Sequence, residues 1–68
     1  MESVKINSEF ITLQQLLKLK NIISSGGEAK YFLSINEVLV NGELEQRRGK
    51  KLYPNDIIKV VNKEFIIK

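Results

Sequence analysis

Apolar and polar positions follow two different periods along this chain, and the change of period falls inside one stretch. From Ala29 to Ser34 the spacing is helical: Ala29, Phe32 and Leu33 share one face, while Lys30, Tyr31 and Ser34 share another. From Glu37 onward the period is two. Val38 and Val40 alternate with Glu37, Leu39 and Asn41, which predicts a short strand. Asn41-Gly42 follows as a tight turn, because both residue types tolerate positive φ. A short helix, a corner at Asn36 and a strand ending in Asn-Gly thus form one unit, on which the rest of the chain can pack.

Upstream, Val4 and Ile6 alternate with Lys5 and Asn7 as a weak edge strand. Thr12 is a good N-cap. Gln15 completes a capping box, and Ile11 with Leu16 can form the hydrophobic staple. The first helix is predicted to run to Ile22 or Ile23, burying Leu13, Leu16, Leu17, Leu19 and Ile23. Ser24-Ser25-Gly26-Gly27 interrupts it. Ser25 can cap a second helix over about 27–34 with Glu28 as its partner, and Asn36 can end that helix in the left-handed conformation. The two glycines permit either a tight interhelical turn, the preferred reading, or close approach of a phosphate to bare N–H groups.

Downstream, Glu43-Leu44-Glu45 can continue strand pairing, and Leu52 re-enters the core. Tyr53-Pro54-Asn55-Asp56 is a turn with Pro at its second position. Ile57–Val61 is the strongest strand signal. Asn62-Lys63 is expected to turn it into a last strand at Glu64–Ile67. Helices followed by several short strands predict an α+β fold, with two short helices on one face of a small, mostly antiparallel sheet. Val38, Val40, Leu52, Ile57, Phe32, Leu33, Leu16 and Leu17 are its expected core.

Length and composition narrow the function. At 68 residues the chain makes one domain. Such a domain buries only about 60% of its unfolded surface and has no room for a deep cleft. There is no cysteine and no histidine, which removes disulfides, thiolate metal sites, the commonest general base and the commonest zinc ligand. No apolar run reaches membrane-span length and no signal-peptide pattern opens the chain, so a soluble, cytoplasmic protein is expected. No serine has a candidate histidine, and no glycine-rich loop has phosphate-binding lysine spacing. Asp56 in its turn is explained by a side-chain bond to the backbone. The expectation is therefore no catalysis and no cofactor.

Charge is unevenly placed. Residues 1–46 carry four lysines against six glutamates, whereas residues 47–68 carry seven basic residues against two acidic ones. The densest run is Arg47-Arg48-Gly49-Lys50-Lys51. It can be a solvated loop or can track a phosphate backbone. Lys30 and Tyr31 share the outer face of the second helix; lysine can pair with a phosphate, and tyrosine can stack on a base or lie on the core. Lys18 and Lys20 suit the first helix's C-terminal dipole.

The run Ala29-Lys30-x-Phe32-Leu33-x-x-Asn36-x-Val38-x-Val40-Asn41-Gly42 resembles the core of the S-four RNA-binding domain, or alpha-L RNA-binding motif. That family's pattern is Ala-Arg-x-Leu-Ile-x-x-Gly-x-Val-x-Val-Asn-Gly at the same spacing. Leu52-x-Pro54-Asn55-Asp56-Ile57-Ile58 is similar to the family's later Gly-Asp turn before a strand. The resemblance covers about residues 11–61. Ser25-Gly26-Gly27 and the Arg47–Leu52 run further resemble short stand-alone bacterial members of the YaaA type. It implies an RNA-binding domain for structured, ribosomal RNA and a role in ribosome assembly. Two features depart from the pattern. Ser25-Gly26 stands where larger members place Ser-Arg, and Asn36 and Asn55 stand where the family has Gly.

The expected RNA-binding residues are Lys30, Tyr31, Arg47, Arg48, Lys50 and Lys51, on a monomer with no metal and no small-molecule substrate. The rival is a protein-interaction module using the same basic surface or a free strand edge at Glu64–Ile67. A basic patch spanning the second helix and the loop after Gly42 favours RNA; a free apolar edge favours protein.

Overall fold

Thr12 starts the first helix as predicted. The computed structural model describes residues 1–68. In it Thr12 Oγ1 accepts from the Gln15 N–H at 3.2 Å, and Gln15 Oε1 accepts from the Thr12 N–H at 2.7 Å. Helix α1 then covers Leu13–Leu19. It ends earlier than its apolar spacing predicts. Asn21 takes φ 58°, and the Asn21 and Ile22 N–H groups donate to the Lys18 and Leu17 carbonyls at 3.0 and 2.9 Å. This reversed pair of bonds is a Schellman stop, and asparagine is one of the few residues that permits it. Leu19, expected inside, is consequently exposed, while Ile23 still returns to the core.

Helix α2 covers Gly26–Ile35. The chain reverses before the two glycines, which occupy the helix's first turn rather than an interhelical turn. Gly26 lies close to α1: a Cβ there would stand 2.5 Å from Nε2 at the flexible end of the Gln14 side chain, which would have to swing aside. Ser25 occupies the N-cap position without making a side-chain capping bond. The Glu28 carboxylate reaches one residue further back, accepting from the Ser24 N–H at 2.9 Å and from its hydroxyl. At the other end Asn36 is extended (φ −123°) rather than left-handed. Its backbone and side-chain N–H groups both donate to the Phe32 carbonyl, at 2.9 and 3.1 Å, so the amide side chain closes the helix without positive φ.

The strands are β1 (Glu2–Val4), β2 (Ile11–Thr12), β3 (Val38–Val40), β4 (Glu43–Leu44), β5 (Lys51–Leu52), β6 (Ile57–Val60) and β7 (Lys63–Ile67). Five form a sheet in the order β1-β7-β6-β3-β4, antiparallel except for the parallel β1–β7 pair; β2 and β5 pair separately. Asn41 (φ 53°) and Gly42 (φ 84°) make the predicted two-residue turn. Tyr53–Asp56 turns with Asn55 at φ 80°, the value a type II turn requires after Pro54.

The β6–β7 turn lies one residue earlier than expected. Val60 pairs with Lys63, so Val61 and Asn62 form the loop, and exposed Val61 adopts φ 57°. A β-branched residue seldom tolerates that conformation, which is why sequence favours Asn62-Lys63.

Val38, Val40, Ile58, Val60, Phe65 and Ile67 point to one face, where they join Leu13, Leu16, Leu17, Ala29 and Leu33 from the helices in a single core. Both helices therefore cover the same face. Leu52 is fully buried there and Phe32 packs at the rim. Ile57, expected inside, belongs to the other face: strand parity puts Ile58 and Val60 inward, and Ile57 with Lys59 outward. No helix is long and apolar enough to cross a membrane.

Candidate nucleic-acid interface

The basic segment is anchored at its start by a carboxylate. Glu45 is 9% exposed, and its N–H donates to the Val38 carbonyl at 2.8 Å. Its side chain accepts from Arg47 Nε at 2.9 Å, Arg47 Nη2 at 3.1 Å and the Arg47 backbone N–H at 3.0 Å. The bonds from the Arg47 side chain, outweighing burial, lower the Glu45 pKa to about 2, and the same pairing raises that of Arg47. Arg47 is thus committed to bracing its own loop, although its guanidinium still faces water.

A pH dependence follows. The folded-state pKa of Glu45 is depressed, so its stabilising contribution is complete above the ordinary value of 4.5 and is lost as pH falls toward about 2. Urea midpoints measured across that window should fall in the native protein. In Glu45→Gln, this part of the fall should be absent and the midpoint at neutral pH lower.

Beyond Arg47 the backbone lies as a strap over the start of α1. The Arg48 carbonyl accepts from the Gln14 N–H at 2.9 Å, and the Lys50 carbonyl accepts from the Leu13 N–H at 2.8 Å. A turn from Arg47 to Lys50 closes around Gly49 at 3.2 Å, and Lys51 then pairs with Thr12. With Thr12 Oγ1 taking the Gln15 N–H, the first three amides of α1 all have acceptors. Sequence does not show why this loop is ordered: the loop caps the helix with its carbonyls, and its cations project from a fixed backbone.

The cations then part. Arg48 turns to α2, where its Nη1 makes a long contact of 3.5 Å with the Gly26 carbonyl. Lys30 follows Gly26 by one turn, and Tyr31 is 68% exposed, so its ring does not lie on the core. Gly26 and Gly27 have amides with no acceptor in the protein. Glu28 adds negative charge beside this turn, and the Ser24 bonds lower its pKa. Arg47, Lys50 and Lys51 instead border a hollow with Gly49 and Tyr53. The Lys51 ammonium lies 4.8 Å from the centre of the Phe10 ring, which packs on Tyr53 at 5.8 Å. Sequence reasoning does not single out Glu45, Phe10 or Tyr53. For Tyr53 a signal exists: an aromatic residue just after the basic run and just before a rigid Pro-Asn-Asp turn.

The rival's strand edge is not free. Strand β7 lies between β1 and β6, with Phe65 and Ile67 buried.

The chain resembles known proteins over nearly its whole length. A family model described as the S4 domain matches residues 4–68. The "Probable ribosome maturation protein RlbA" of Bacillus subtilis (strain 168) is 54% identical over 57 residues, covering 84% of this chain and 80% of that protein.

Proposed function

The chain belongs to the S4 domain family, and from that premise we propose that it is a non-catalytic RNA-binding module acting on structured ribosomal RNA during ribosome maturation, as a monomer in the cytoplasm. The observation that carries this reading is the strapped basic loop. Its backbone caps α1, and the long Arg48 contact brings the loop's charge to the start of α2, where the Gly26 and Gly27 amides are without acceptors and Lys30 follows one turn on, with Glu28 as the opposing charge. Such a surface suits a phosphate backbone, whose charge supplies most non-specific affinity. Arg48, Lys50, Lys51 and Lys30 take phosphates, and Tyr31 offers a face to a base or sugar. Arg47 contributes mainly through the loop it braces. The name of the Bacillus relative supports the ribosomal context.

The test is a salt titration of the native protein on a structured ribosomal RNA fragment, with polyglutamate as competitor. Binding at low salt that weakens steeply with salt and resists polyglutamate is expected. Absence of RNA binding at low salt, together with capture by the acidic polypeptide, would give the surface to a protein partner.

A further inference from the structure

The hollow beside Tyr53 has a neighbour that shares part of its lining. A second concavity, of about 380 Å³, is bordered by the same Lys50, Lys51 and Tyr53, but its remaining wall includes Asn41, Glu43 and Asp56. The first, of about 520 Å³, has Arg47 and no acidic residue. Lys50, Lys51 and Tyr53 are thus common to a basic dish and a mixed one, and Tyr53 is the one aromatic ring in either. We propose that this pair of hollows seats one unpaired nucleotide of the bound RNA, its phosphate in the basic dish and its base on the Tyr53 ring. This rests on the RNA-binding reading above and adds a base-recognising element to a surface otherwise suited to backbone alone.

Three observations support the assignment. First, Tyr53 is exposed yet fixed. Its N–H donates to Asp56 Oδ2 at 2.8 Å, its carbonyl accepts from the Asp56 N–H at 3.0 Å, and Pro54 stiffens the next residue. Its ring leans on Phe10 at an interplanar angle of 51° and remains 42% exposed. An aromatic surface held this way stacks a base with little loss of side-chain freedom.

Second, the electrostatics sort the two halves of a nucleotide. Lys50 and Lys51 attract the phosphate on the side that has no carboxylate of its own, with Arg47, paired to Glu45, adding less, while Glu43, Glu45 and Asp56 of the other hollow repel it and leave that side to the neutral base. Asp56 and Asn41 are already satisfied by each other, by the Tyr53 N–H and by the Ile57 N–H, so that wall is rigid. Third, the exposed ring takes the face of a base, which a base stacked in a duplex cannot present. Only a looped or bulged nucleotide can enter.

The experiment compares two RNA hairpins of equal length, one with a single bulged nucleotide and one fully paired, against native protein, Tyr53→Phe and Tyr53→Ala. The native protein and Tyr53→Phe should bind the bulged hairpin about tenfold more tightly than the paired one. Tyr53→Ala should bring the bulged hairpin down to the paired level with an unchanged salt slope. Because Tyr53 packs on Phe10, a second measurement avoids the alanine variant. In Tyr31→Phe, Tyr53 is the sole tyrosine in a chain without tryptophan, and its fluorescence should be quenched by the bulged hairpin but not by the paired one. Equal affinity of the native protein for both hairpins, equal weakening of both by Tyr53→Ala, or no selective quenching would overturn the nucleotide seat while leaving RNA binding intact. Failure of the native protein to bind either hairpin at low salt would overturn both.

Discussion

Replacing Arg48 and Lys51 together by alanine is expected to weaken binding to a structured ribosomal RNA about a hundredfold at low salt, taking about 1.5 kcal/mol for each charge-assisted hydrogen bond to a phosphate that the variant cannot make. The slope of log affinity against log salt should fall by about one for each residue that touches a phosphate. The weakening should be broadly similar across RNA sequences, since phosphates carry no sequence information. Folding should change little. Arg48 makes only the long contact to the Gly26 carbonyl, and Lys51 gives up its position over Phe10, worth about 0.5–1 kcal/mol at an exposed site. Equilibrium unfolding beside the binding titration separates the two effects. An unchanged affinity and slope would reduce the loop to a solvated run of charge.

Gly42→Val should destabilise the domain by about 2 kcal/mol, since a β-branched side chain is poorly tolerated at φ 84° and the left-handed region alone costs an L-residue about 1–2 kcal/mol. The turn is also part of a wider lock. The Asn41 N–H donates to the Ile57 carbonyl at 2.7 Å, Asn41 Nδ2 donates to Asp56 Oδ1 at 3.0 Å, and the Ile57 N–H returns to Asn41 Oδ1 at 2.9 Å. Distorting Gly42 therefore loosens the Tyr53–Asp56 turn as well. For a domain of this size, total stability is about 3–10 kcal/mol, so the effect is substantial. Gly49→Ala is the control: a Cβ there meets nothing within 4 Å and no positive φ is involved, so a change within about 0.5 kcal/mol is expected. Urea unfolding of the three proteins measures the difference, and a Gly42→Val midpoint equal to the native one would contradict the turn's role.

What can be read from sequence is what local chemistry decides. The Thr12–Gln15 capping box, the Asn41-Gly42 turn and the Pro54-Asn55 turn each depend on a few adjacent residues, and all three form. So does the inward set on β3, because Val38 and Val40 alternate cleanly. The misplaced helix ends have a common cause in asparagine, whose side chain offers two ways to end a helix. Asn21 takes the left-handed stop and shortens α1, whereas Asn36 stays extended and uses its amide instead. The run Ile57-Ile58-Lys59-Val60-Val61 has apolar residues on both faces, so its parity depends on pairing with β3, a tertiary fact.

The candidate surface is legible in the sequence as residue types but not as geometry. Nothing local shows that the loop carbonyls cap α1, or that the cations divide between α2 and Tyr53. Those depend on bonds across intervals such as Gln14 to Arg48. Pairing of β1 with β7 likewise joins the chain's two ends.

The most direct measurement is an NMR titration of ¹⁵N-labelled protein with a structured ribosomal RNA fragment at low salt, followed by amide shifts. The largest shifts should fall on Arg48, Gly49, Lys50 and Lys51 and on Gly26, Gly27, Lys30 and Tyr31 together, with the outer sheet face at Leu39, Leu44, Lys59 and Glu64 unmoved. Shifts confined to that sheet face, or none at either the loop or the start of α2, would contradict an RNA-binding surface built from the strapped loop.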